Sequence, residues 1–147
     1  MRTFLILILI GVLAVLGAAP AAMARPGASS GTVAVHSSSY GRVLFDGRGF
    51  ALYTFSHDPR GRSSCSGACA KAWPPFLVKR APSAGPGARA SLLGTVRRGD
   101  GTIQATYAGR PLYYYVGDTK AGQILCQNVS EFGGRWLVVR ANGVPVR

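Results

Sequence analysis

The chain has 147 residues, 48% hydrophobic and 15% charged, a balance that excludes a wholly disordered polypeptide and suits one small domain. Seventeen lysines and arginines against five acidic residues give a formal net charge of +12. A field of that sign favours acidic partners over basic ones.

At the N-terminus, Arg2 precedes an apolar run over residues 4–16, and small residues lead to Ala22-Met23-Ala24. This order predicts a cleavable signal peptide over residues 1–24. The run is too short to span a bilayer, which takes about 20 residues. An uncleaved anchor is the competing reading, opposed by the Arg25-Pro26 and polar Gly/Ser stretch that follow at once. No later run is long enough to leave a membrane span after cleavage, so the chain is expected to be exported, periplasmic or extracellular. Its cations stand singly or in pairs (Arg60/Arg62, Lys79-Arg80, Arg97-Arg98). That pattern describes a solvated surface, and in an exported chain nucleic acid is not an expected partner.

Residues 25–38 form a lead-in, rich in Pro, Gly, Ser and Ala as far as Val35, and are expected to be disordered. Short apolar runs then alternate with glycine turns. Residues 42–45 meet Asp46-Gly47-Arg48-Gly49 and continue into residues 50–55, a hairpin signal, because glycine supplies the positive φ of a tight turn. A short helix is predicted around residues 68–73, stopped by Pro74-Pro75. Residues 79–91 read as a flexible connector. A second hairpin runs from residues 93–98 through Gly99-Asp100-Gly101 into residues 103–107, and Ala108-Gly109-Arg110-Pro111 turns the chain into residues 112–116. Asn142-Gly143 separates two last apolar runs. The predicted fold is mostly β: antiparallel hairpins in two pseudo-repeats, about residues 39–78 and 92–147, forming one domain over residues 39–147.

An ungapped internal repeat carries that division. Gly49-Phe50-Ala51-Leu52-Tyr53-Thr54-Phe55-Ser56-His57-Asp58 aligns on Gly109-Arg110-Pro111-Leu112-Tyr113-Tyr114-Tyr115-Val116-Gly117-Asp118, 60 residues later. Tyr53 and Phe55 share one strand face, as do Tyr113 and Tyr115, since side chains alternate with period two. Trp73 and Trp136 follow the two copies. Both copies fit Y-x-[FWY]-x-x-D, and residues 65–75 fit C-x-G-x-C-A-x-x-W-P-P. In these motifs, over roughly residues 39–140, the chain resembles the secreted-repeat family of unknown function, described also as predicted lipoproteins. The resemblance implies an envelope location and a repeat architecture, and no activity. Many members are lipoproteins, whereas no cysteine stands beside the predicted cleavage point here.

The three cysteines, Cys65, Cys69 and Cys126, predict one disulfide and one leftover thiol in an exported chain. The bridge is either Cys65–Cys69 or one of these to Cys126. A helical turn sets positions four apart about 6 Å from each other, within disulfide range. Alternatively, the thiolates hold copper or zinc, with His57 as a further ligand, or do redox work. The simplest reading of Tyr53, Phe55, Tyr113 and Tyr115 is core, and of Asp58 and Asp118 turn residues accepting backbone N–H groups. If the aromatics instead lined a groove, it would suit a sugar or peptide. No G-x-S-x-G, H-E-x-x-H or P-loop occurs, and the leaning is away from an enzyme. The expected role is non-enzymatic binding of an acidic envelope polymer or another envelope protein, with no cofactor. The alternative is a thiol-dependent copper-binding or electron-transfer protein.

Overall fold

Strand formation begins earlier than the composition predicts. A computed structural model describes residues 31–147, so the predicted leader and most of the lead-in lie outside the described residues. Within the lead-in, Thr32–Ser38 forms β1, paired antiparallel with β2, Gly41–Asp46, from Val33↔Asp46 to Ser38↔Gly41. The expectation of disorder through residue 38 is therefore corrected. Val33 and Val35 are buried core side chains, and their alternation with smaller residues is the strand signal the Gly/Ser-rich context obscured.

The connector is likewise structured. Ser83–Ala84, β4, pairs in parallel with Thr32 and Val33, and the Val35 N–H donates to the Pro86 carbonyl at 2.9 Å. A 3-10 turn over Ala90–Leu92 then leads into the second half.

The remaining elements follow the predicted order. They are β3, Tyr53–Phe55; α1, Ala68–Ala72; β5, Leu93–Arg97; β6, Ile103–Tyr107; β7, Arg110–Pro111; β8, Val129–Glu131; and β9, Gly134–Val138. Three small sheets result, ordered β2-β1-β4, β3-β9-β8 and β5-β6-β7. All pairings except β1–β4 are antiparallel. Over the described residues the fold is mostly β, with one short α-helix. Gly49 and Gly109, equivalent in the repeat, both hold positive φ (87° and 73°) where the chain turns into the motif strand, a conformation most side chains resist.

Successive residues of the motif strands point into two different apolar clusters. Val43, Phe45, Tyr53, Phe55, Trp73, Tyr113 and Trp136 fill the first; Leu44, Leu52, Phe76, Tyr107 and Leu112 belong to the second. Burial on both faces explains why residues 43–46 and 51–55 are buried without interruption.

Candidate functional site

The two motif strands meet at their tyrosines. Tyr53 and Tyr113, equivalent positions of the repeat, face each other in an antiparallel bridge. Each N–H donates to the other's carbonyl at 2.9 Å. A residue on a pseudo-twofold axis must pair with its own copy, and neighbours must make reciprocal contacts. The aspartates obey that rule. The Tyr53 hydroxyl donates to Asp118 Oδ2 at 2.6 Å, and the Tyr113 hydroxyl donates to Asp58 Oδ2 at 2.6 Å. Each motif tyrosine thus binds the aspartate of the other repeat.

The second oxygen of each carboxylate fastens the loop that follows it. Asp58 Oδ1 accepts from the Ser64 N–H (2.7 Å) and hydroxyl (2.6 Å), and Asp118 Oδ1 accepts from the Leu125 N–H at 2.9 Å. Cys65 and Cys126 come directly after these donors, so they are structural equivalents despite the unequal loops. Burial raises the pKa of Asp118 above the ordinary carboxyl value, opposed by the Tyr53 hydroxyl and Leu125 N–H. Burial first, and then the facing carboxylates, push both tyrosine hydroxyls upward. A hydroxyl so held keeps its proton and remains a hydrogen-bond donor to the carboxylate.

The tails are exchanged as well. Residues 136–138 of the second repeat pair with Tyr53–Phe55 of the first. Pro75 of the first bridges Tyr113 of the second, and the Phe76 N–H donates to the Leu112 carbonyl at 2.9 Å. This exchange carries the two tryptophans into one stack. Trp73 and Trp136 lie parallel with centroids 4.1 Å apart, and Phe55 continues the stack on Trp136 at 4.2 Å. Trp73 Nε1 donates to Glu131 Oε2 at 2.9 Å. Tyr115 is only half-buried and tilts against Trp73 at 4.7 Å.

Around Tyr113 lies a network that the sequence did not advertise. Arg98, 8% exposed, donates through Nη1 to Ser63 Oγ and Gln104 Oε1, and through Nη2 to the Cys65 carbonyl. Since the Tyr113 proton goes to Asp58, Ser63 Oγ donates to the Tyr113 oxygen at 2.7 Å. Arg98, Ser63, Tyr113 and Asp58 therefore form one hydrogen-bond chain linking a buried cation to a buried anion. In the second repeat Ile124 stands where Ser63 stands in the first, and it packs against the core. Arg98 looked like one of a surface pair with Arg97, and no local signal distinguishes the two.

Cys65 and Cys69 form a disulfide that ties the loop before α1 to its first turn, with Cα atoms 5.3 Å apart. Cys126 is free and half-buried, and its thiol raises the pKa of the Tyr115 hydroxyl. The bridge takes up Cys65 and Cys69, two of the ligands of the copper-binding alternative, and leaves Cys126 and His57. His57 is exposed and lies against Phe55, 5.8 Å between centroids. Among the described residues, no group of three His, Cys, Asp or Glu side chains is placed to hold a metal ion. Nor, among them, is any helix long and apolar enough to cross a membrane.

No curated protein and no solved structure matches the chain. The family described as a secreted repeat of unknown function matches it twice, over residues 34–76 and 94–140. Each match holds one Tyr–Asp motif and its tryptophan, and the exchanged pairing above joins the two. The chain belongs to this family of secreted repeats.

Proposed function

We propose that this is an exported domain, working in the periplasm or outside the cell, that binds an acidic component of the cell envelope without catalysing a reaction. The observation that carries this reading is how the carboxylates are used. All five are engaged by the protein's own donors. Asp58, Asp118 and Glu131 are held as described, Asp100 accepts from the Thr102 N–H and hydroxyl, and Asp46 accepts from Arg48, Phe50 and Tyr114. Among the described residues only Arg48 and Arg98 lie within ion-pair distance of a carboxylate. The other described lysines and arginines have no carboxylate within that distance, which suits attraction of an anionic polymer. Tyr53, Tyr113, Asp58 and Asp118 meanwhile bond to one another across the repeats and are buried, which argues against their lining a sugar groove.

Retention of the secreted chain on phosphorylated, carboxylated and neutral dextran tests the reading. Binding to both charged matrices at 50 mM salt and release at 500 mM is expected, because the Debye length shrinks from about 14 Å to about 4 Å. Equal retention on neutral dextran, or none on the charged ones, overturns it.

A further inference from the structure

Thr54 and Leu137 pair across β3 and β9 on the face turned away from Tyr53, Phe55 and Trp136. They form the floor of a cleft of about 720 Å³. Its walls carry Arg60, Arg110, Arg140 and Arg147, and no aspartate or glutamate side chain lines it. These cations come from three separate parts of the chain, Arg140 and Arg147 sharing the C-terminal turn, and only the fold brings the three together.

Like charges gathered in one cleft repel, and among the described residues none of these four arginines lies within ion-pair distance of a carboxylate. Arg60 donates to the Ala108 carbonyl at 2.9 Å, a neutral acceptor. Burial and the charges of Arg60 and Arg147 lower the pKa of the Arg110 guanidinium. Two further donors sit in the same lining without partners. The Thr54 hydroxyl, on a residue 1% exposed, and Arg110 Nε are both buried with nothing to bond. A buried donor left unsatisfied is costly, and native proteins rarely keep one without reason.

Resting on the envelope-binding reading, we propose that this cleft is its ligand site and takes a chain of closely spaced phosphates. Each phosphate within such a chain carries one full charge and two unbridged acceptor oxygens, and the planar guanidinium fork suits it. One isolated carboxylate, or one isolated phosphodiester, would offer two oxygens to a larger number of donors and leave most unpaired, whereas closely spaced phosphates supply several. The cleft is also larger than a single phosphate requires, so neighbouring phosphates on one chain fill it better. Two sources share this chemistry: a phosphoanhydride chain and a phosphodiester polymer.

Calorimetric titration of the secreted chain tests the site, using inorganic tripolyphosphate, a glycerol-phosphate oligomer and citrate. One phosphate ligand per chain is expected, held at least tenfold more tightly than citrate, and the tighter of the two phosphate compounds identifies the source. Arg60→Gln with Arg140→Gln should weaken it at least tenfold, whereas Lys79→Gln with Arg80→Gln, an equal loss of charge elsewhere, should weaken it less than twofold. Thr54→Val keeps the shape and removes the unpaired hydroxyl, so thermal stability should hold while affinity falls about fivefold, the value of one neutral hydrogen bond. Equal losses from the two arginine and lysine pairs would overturn the cleft and leave the general electrostatic reading standing. Citrate binding as tightly as tripolyphosphate would overturn the phosphate assignment, and no binding of any anion would overturn both readings.

Discussion

Tyr53→Phe removes one oxygen from a fully buried ring and asks how much the exchanged Tyr–Asp bonds hold the repeats together. The packing is unchanged, so the cost lies in the hydrogen bond. Asp118 Oδ2 loses its donor, and Oδ1 keeps only the Leu125 N–H. A hydrogen bond to a charged group contributes roughly 1.5–3 kcal/mol, and we expect a loss of about 2 kcal/mol in urea unfolding at pH 7. Tyr113→Phe should cost at least as much: although Asp58 retains the Ser64 N–H and hydroxyl, the change removes both the bond to Asp58 and the one accepted from Ser63.

The pH dependence gives a sharper criterion. Asp118 has a folded pKa raised by burial. Its contribution to stability is therefore full below the unfolded value of about 3.9 and is lost as pH rises through the folded value. Removing the Tyr53 donor, which favours the carboxylate, raises the folded pKa further and widens that window. The destabilisation by Tyr53→Phe should be largest near pH 7 and shrink towards pH 3. In an Asp118→Asn background it should fall below about 1 kcal/mol, leaving only a neutral hydrogen bond. A loss that is independent of pH and unaltered by Asp118→Asn would refute the proposed role of the bond.

Because the tails are exchanged, residues 31–80 and 92–147 should each be unfolded alone and regain near-ultraviolet circular dichroism, from the Trp73–Trp136 stack, only when mixed; an ordered half would contradict the exchange. Mass spectrometry of the unreduced protein should show the loss of two hydrogens and one alkylatable thiol, Cys126. Breaking the bridge by Cys65→Ser with Cys69→Ser should cost about 2 kcal/mol in the chain-entropy account, measured by urea unfolding. Arg98→Met strands Gln104 Oε1 and the Cys65 carbonyl and should cost about 3 kcal/mol in the same assay, whereas the same change at exposed Arg97 should cost less than 0.5 kcal/mol.

The hairpins around Gly47, Asp100 and Asn142, the helix before Pro74 and the two-copy motif were all legible in the sequence, because each depends on chemistry within a few residues. Strand β1 was not, since its Thr-Val-Ala-Val alternation adjoins a Gly/Ser-rich stretch that masks the hairpin it forms with β2, and its other partner, β4, lies about 50 residues further on. The motif residues were identified as a repeat, but not their partners. Tyr53 and Asp118 are 65 positions apart, and the choice between bonding within or across repeats depends on the pseudo-twofold arrangement. Both buried Arg98 and the arginines of the cleft looked like scattered surface charge for the same reason: periodicity records one strand's alternation, not which distant strands come together.

Backbone amide shifts followed during titration with tripolyphosphate test the division between an inner joint and an outer binding face most directly. The account predicts movement at Thr54, Arg60, residues 108–110 and residues 140–147, with the amides of Tyr113, Asp118 and Trp73 unmoved. Shifts centred on the Tyr–Asp motif, or spread evenly over every exposed cation, would contradict it.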